Sequence, residues 1–242
     1  MYGFDPIYLI ILGGCMLLSL LASGYVKLAF KRGQNVPIRS GRTGAEIARM
    51  ILRDQDITDV EVVEHQGFLS DHYHPKKKTL NLSPDVYHGQ NAAAAGVAAH
   101  EVGHALQHAQ GDITMWGRSI LVYPAYFGSM FAPYLVMAGI FMAAGHALVE
   151  GSGAYYVAVS GVALFAVSTL CAIIIVFNEF NASSRARVAL VRLGVIDRGT
   201  EEATVRTVLN AAGMTYLAAA VAALAQLLYW AWRAGLIGGN RR

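Results

Sequence analysis

Four long apolar runs, separated by polar ground, set the rhythm of this 242-residue chain. They cover residues 7–30, 120–144, 154–177 and 214–232. About 20 apolar residues cross the hydrocarbon core of a bilayer, so each run is long enough to span. The first ends in Lys31 and Arg32, lacks a basic start, and is too long for the apolar part of a signal peptide, so it reads as a retained anchor. Pro124 and Pro133 predict kinks in the second. The fourth closes with Tyr229, Trp230 and Trp232, aromatic residues suited to a membrane interface.

The ground between the first two runs has a different period. Ala45, Ile47, Ala48, Ile51 and Leu52 repeat as one face of a helix, with Thr43 as its N-cap. Val60, Val62 and Val63 begin a strand, and residues 79–82 form a second. The two are expected to pair as a β-hairpin whose turn carries His72, His74, Pro75 and three lysines. An edge of that hairpin could receive an extended peptide. An alanine-rich helix follows, starting near Ser83-Pro84-Asp85 or near Asn91. A second polar stretch, residues 178–210, joins the third and fourth runs. The expected fold class is mainly α: an integral-membrane helix bundle of about four transmembrane helices with a small extramembrane α+β region. The whole, residues 1–242, reads as one domain, with its polar region made of 31–116 plus 178–210.

Composition sharpens this picture. Hydrophobic residues make up 55% of the chain and charged residues 14%, against about 25% charged in an average soluble domain. The net charge of +3 and the short Lys76-Lys77-Lys78 run exclude an extended nucleic-acid surface, so no nucleic-acid partner is expected. Cys15 and Cys171 lie in apolar runs and read as small buried hydrophobes, not as a disulfide or a zinc site.

The chemistry concentrates at His100-Glu101-Val102-Gly103-His104, an HExxH pattern. Eight His and eight Glu in a chain of this length produce it by chance in about 1% of sequences. On a helix, residues four apart share a face, so both imidazoles can meet one ion. Glu101, one position on, flanks that ion as a general base. A catalytic zinc also needs a third protein ligand. His108 is too far: about 12 Å of helix rise separates it from His100. Glu179, at the end of the third run, is the better candidate, because a carboxylate there is costly unless paired, hydrated or metal-bound. If all four runs cross, HExxH and Glu179 lie on one side. Glu101-Val102-Gly103-His104 is also an ExxH, as in di-iron bundles, but these need a second ExxH and the chain has none. An inactive membrane scaffold is the remaining alternative.

The chain resembles the YugP-like family of membrane zinc metallopeptidases. The resemblance rests on residues 67–73 (GFLSDHY), 82–87 (LSPDVY), 96–107 (GVAAHEVGHALQ), 179–186 (EFNASSRA) and 208–216 (VLNAAGMTY). It implies a zincin-like catalytic region of the gluzincin type, with one Zn2+ per chain on His100, His104 and Glu179, and peptide hydrolysis. Peptides or membrane-protein segments would be the substrates and the lipid bilayer the setting. The family carries Asp or Asn where Asn181 stands, and commonly Asp where His74 stands.

Asp71, His72 and His74 read first as a polar turn, with a cleft or second-ion role as the sharper option. Asn181, Arg185 and Tyr216 are candidates for supporting the ligands or stabilising an oxyanion. His146 and Glu150 fall in the opposite turn and read as solvated. Lys31, Arg32, Arg39, Arg42, Arg118, Arg185, Arg187 and Arg192 all flank the motif side, which places the active site on the cytoplasmic face of the cell membrane in a multi-pass chain. Arg233, Arg241 and Arg242 argue the other way.

Overall fold

A computed structural model describes residues 5–143, 146 and 148–238, without the side chains of 113, 114, 116–122, 124 and 125. Seven helices and three strands follow one another among these residues: α1 (Pro6–Gln34), α2 (Gly44–Asp54), β1 (Glu61–Glu64), β2 (His72–His74), β3 (Thr79–Leu82), α3 (Pro84–Tyr87), α4 (Ala92–Ala109), α5 (Ile113–Met142), α6 (Gly153–Arg192) and α7 (Thr200–Arg233). The chain is mainly helical with one small sheet.

Two compact units emerge. One contains residues 1–20, 117–176 and 216–242, and the other 21–116 and 177–215. The second unit has a core drawn from α2, β3, α4 and the polar-stretch parts of α6 and α7, including Ile47, Ile51, Leu80, Leu82, Val102, Leu190 and Val205. The first has a smaller cluster around Ala132, Val136, Phe165 and Trp230.

Local chemistry explains the helix starts. Thr43 and Glu46 form a reciprocal capping box at α2. Asn91 accepts from the Ala94 N–H at the head of α4. Both anticipated starts are therefore used, the one near Ser83 for the short α3 and the one near Asn91 for α4.

The hairpin differs from expectation. β3 pairs parallel with β1 and antiparallel with β2, in the order β1-β3-β2. His72 and His74 lie in a strand, not a turn. The reason is loop length: residues 65–78 are too many for a tight turn between β1 and β3, whereas hairpin loops hold about 2–5 residues. Residues 75–78 close the β2–β3 hairpin instead, with Lys78 taking a positive φ of 51°.

The third apolar run also ends differently. α6 does not stop near residue 177 but continues to Arg192, because residues 178–192 contain no Gly or Pro. It stops at Gly194, whose φ of +64° lets the Val195 N–H close on the Leu190 carbonyl. Glu179 therefore sits mid-helix.

Three helices are long and apolar enough to cross a membrane among the described residues: α1, α6 and α7. In α5 the described apolar part, Tyr126–Met142, is shorter than a span, so the fourth expected crossing is not among them. α5 runs unbroken past Pro124 and Pro133. The side chains of Arg118 and Pro124, and residues Gly145, Arg241 and Arg242, lie outside the described residues. Both cysteines are free, and Cys171 is buried.

Candidate metal centre

Two helices build the site. α4 carries His100 and His104 on one face, as their spacing requires. α6 brings Glu179 against them. Close approach of these helices depends on Gly103: a Cβ there would lie 2.7 Å from the Ala182 carbonyl oxygen. The second x of the motif thus works as a space left for the neighbouring backbone.

Glu179 Oε2 lies 3.1 Å from His100 Nε2 and 3.5 Å from His104 Nε2. One ligand atom from each of the three residues falls within 4.8 Å of the others. The side chains of His104 and Glu179 are 3% and 2% exposed, and that of His100 is 12% exposed. Of the three, His100 is the most accessible.

The outer hydrogen bonds set which ring nitrogen of a neutral His104 donates. Gln107 Nε2 donates to the Asn178 backbone carbonyl at 3.0 Å, and a carbonyl can only accept. That fixes the amide orientation, so Gln107 Oε1 faces His104 Nδ1 at 2.9 Å and accepts its proton. Asn178 Nδ2 donates to the same oxygen at 3.0 Å. With Nδ1–H committed, the Nε2 lone pair of a neutral His104 points at the Glu179 carboxylate. Two acceptors then face each other, and a cation, either a proton or a metal ion, has to lie between them. Two imidazole nitrogens and a carboxylate oxygen are donors that zinc takes, so these residues fit that ion.

Further partners hold the assembly. Ser183 Oγ lies 3.1 Å from His100 Nδ1. Asn181 Oδ1 accepts from Gln107 Nε2 at 3.0 Å and from Arg185 Nε at 2.7 Å. Arg185 also reaches Gln110 and Asp112, beyond the end of α4. Asn181 and Arg185 thus stand behind His104, through Gln107. Gln107, Asn178 and Ser183 were not singled out as site residues from the sequence. The available signal was spacing: Gln107 lies three positions after His104 and Ser183 four after Glu179. Among the described residues, the buried polar set consists mostly of this cluster: Glu101, His104, Gln107, Asn178, Glu179 and Ser183.

Glu101 is buried, and its Oε2 accepts the Tyr73 backbone N–H of β2 at 2.9 Å. Tyr73 is tied to α4 again by its hydroxyl, 2.8 Å from His108 Nδ1. Burial pushes the Tyr73 hydroxyl up to about 12, with the nearby Asp59 charge adding to it. His108 is thus a partner of the sheet and not of the ligand cluster. Asp71 accepts from the Ser83 N–H and hydroxyl. Burial raises the Asp71 carboxyl above its usual range, and the charge of Glu101 pushes the same way. His72 is exposed on β2 and stacks edge-on with His65. His74 Nδ1 accepts from the Lys77 N–H. Tyr216 is half-buried on α7, in the other unit.

Residues 8–235 match the family model described as "Putative neutral zinc metallopeptidase". The chain belongs to this family. It is also similar to "Putative membrane protease YugP" of Bacillus subtilis (strain 168), with 39% identity over 211 residues, covering 87% of this chain and 89% of that protein. No solved structure matches. The family match spans both compact units, so the metal cluster and the apolar helices belong to one shared pattern.

Proposed function

We propose that this chain is a membrane-embedded zinc peptidase, with one zinc per chain held by His100, His104 and Glu179. The observation that carries the reading is the convergence of two imidazoles and a carboxylate in a largely buried site, with one imidazole tautomer set by Gln107. A zinc ion bound there would polarise the scissile carbonyl and make water a better nucleophile near neutral pH.

The chain's own residues do the rest. Glu101 takes a proton from the attacking water and delivers it to the leaving nitrogen. The Tyr73 N–H holds the Glu101 carboxylate in one orientation. Gln107 and Ser183 fix the ligand rings from behind. Asp71 and His72 are proposed to line the approach of an extended peptide or membrane-protein segment, with Asn181 and Arg185 supporting His104 through Gln107. In this reading α5 is a fourth crossing, the chain is a single catalytic domain in the cell membrane, and the site faces the cytoplasm. The basic residues on that side, including Arg39, Arg185 and Arg192, support that orientation.

Metal content tests the site directly. Detergent-purified wild type and Glu101→Gln are expected to hold about one zinc per chain, consistent with a single three-ligand site. His104→Ala and Glu179→Ala are expected to lose it. Iron at two per chain, or zinc indifferent to Glu179→Ala, would overturn the ligand set.

A further inference from the structure

A cleft of about 150 Å³ opens between α6 and α7 within the second unit. Its volume corresponds to about five waters at their liquid share. The polar lining is Ser183, Ser184, Arg187, Arg206 and Asn210, with Phe180 and Leu209 as the apolar remainder. Each helix supplies polar groups four residues apart, Ser183 with Arg187 and Arg206 with Asn210, so they share a face. Neither guanidinium forms an ion pair or hydrogen bond with any described residue. Glu202, one turn before Arg206, makes no ion pair with it.

Some basic residues of the unit are paired. Arg39, Arg185 and Arg192 each meet an aspartate. Arg187 and Arg206 instead face one cleft with hydroxyls and an amide, all able to donate, and no carboxylate in the lining. Paired guanidiniums present forked donors that match tetrahedral oxyanions. Ser183 can still serve, because a hydroxyl has both a proton and lone pairs and its contact with His100 uses only one of them.

Position narrows the ligand. Phe180 follows the apolar run that ends at Phe177 by three residues, about 4.5 Å of helix rise. Asn210 precedes the run that begins at Met214 by four residues, about 6 Å. The cleft therefore falls where these two helices leave their apolar stretches, the level at which basic pockets between membrane helices meet lipid headgroups. The geometry points to a binding site for a phosphate group, carried by an acidic phospholipid headgroup or present as free phosphate.

The test is binding to the full chain in dodecyl maltoside micelles. The probes are dihexanoyl phosphatidylglycerol, dihexanoyl phosphatidylcholine and inorganic phosphate, each titrated against wild type and an Arg187→Gln/Arg206→Gln double variant, with the thermal midpoint as readout. Phosphatidylglycerol is expected to bind wild type more tightly than phosphatidylcholine. The double variant is expected to lose at least about tenfold of that affinity, the scale of one charged hydrogen bond. Inorganic phosphate matching phosphatidylglycerol, with the same loss in the variant, would assign the site to free phosphate and overturn the lipid source. Equal binding to wild type and variant, or no binding of any probe, would overturn the site. Circular dichroism and elution volume check that the variant folds. If it does not, Arg206→Gln alone carries the test, because its side chain is exposed. The readout does not involve hydrolysis, so its failure would leave the peptidase reading standing.

Discussion

α1 and α4 are both apolar helices, yet they meet opposite surroundings. In α4 nearly every residue from Ala92 to Gln107 is buried, including Ala95, Ala98, Ala99 and Val102 at 0% exposure. In α1 the most apolar stretch has no buried residue, and Ile10, Leu20 and Leu21 are 73%, 67% and 62% exposed. Alanine suffices in α4 because protein backbone closes on it from several sides. Leucine and isoleucine dominate α1, where large side chains face outward. Contiguous exposure on that scale is tolerated in a soluble protein only where a partner covers it, whereas in a bilayer it is the expected surface. α4 is surrounded by protein, whereas α1 is long and apolar enough to cross a membrane.

The sharpest way to break this comparison is to cut the same amount of side chain from each environment. Ile47→Ala, in the core beneath α4, removes a fully buried side chain and should cost about 2–5 kcal/mol. Leu20→Ala on α1 should change stability by less than about 0.5 kcal/mol, as exposed positions do. Unfolding of the two variants by dodecyl sulfate in mixed micelles measures both. A Leu20→Ala cost equal to that of Ile47→Ala would mean that α1 is covered by protein.

The next effect lies within α4 and separates its two glycines. At Gly103 a Cβ would press into the Ala182 backbone at 2.7 Å. Backbone cannot yield as a side-chain tip can, so Gly103→Ala should cost about 1–3 kcal/mol and lower zinc retention by moving Glu179 away from the histidines. At Gly96 the same Cβ meets Val205 at 3.4 Å and Leu209 at 3.8 Å, ordinary contacts. Gly96→Ala should therefore be neutral or add up to about 1 kcal/mol through helix propensity. Thermal unfolding with parallel metal analysis distinguishes them. Equal behaviour would mean that helix propensity, and not the α4–α6 approach, governs both positions.

Sequence patterns exposed these two environments unequally. The HExxH spacing placed both imidazoles on one face, and the polar break after the third apolar run drew attention to Glu179, because both signals are local. The Thr43 cap and the face of α2 were equally legible. Three features were not. The parallel pairing of β1 with β3 depends on a strand, His72–His74, whose polar ends give almost no alternation signal. The continuation of α6 past the apolar run is a matter of helix propensity, which hydropathy does not report. Gln107 acts through the Asn178 carbonyl, a contact between residues 71 apart in sequence, and only packing brings them together. Resemblance to the family supplied the gluzincin arrangement that spacing alone left open between a zinc peptidase and other metal proteins.

The smallest effect concerns the polar rim of α4, a feature the exposed stretch of α1 does not share. Tyr73 reaches His108 through its hydroxyl, and Tyr73→Phe should cost about 1 kcal/mol near neutral pH, one hydrogen bond's net worth. Alkaline pH should then erase that difference. Below the unfolded pKa near 10, the hydroxyl is neutral in both states and the wild type keeps its full advantage. Between that value and about 12, where burial holds the folded hydroxyl, the unfolded chain releases the proton while the folded chain retains it. Protons then bind the native state more, so wild-type stability falls with rising pH. The Phe variant lacks the group and escapes this loss, while every other titration is common to both. Thermal midpoints of the pair at pH 8, 10 and 11 should therefore converge from the neutral side. A gap constant with pH would mean that the hydroxyl ionises equally in both states. The contact with His108 would then belong to a solvated surface, and the protein environment of α4 would end before β2.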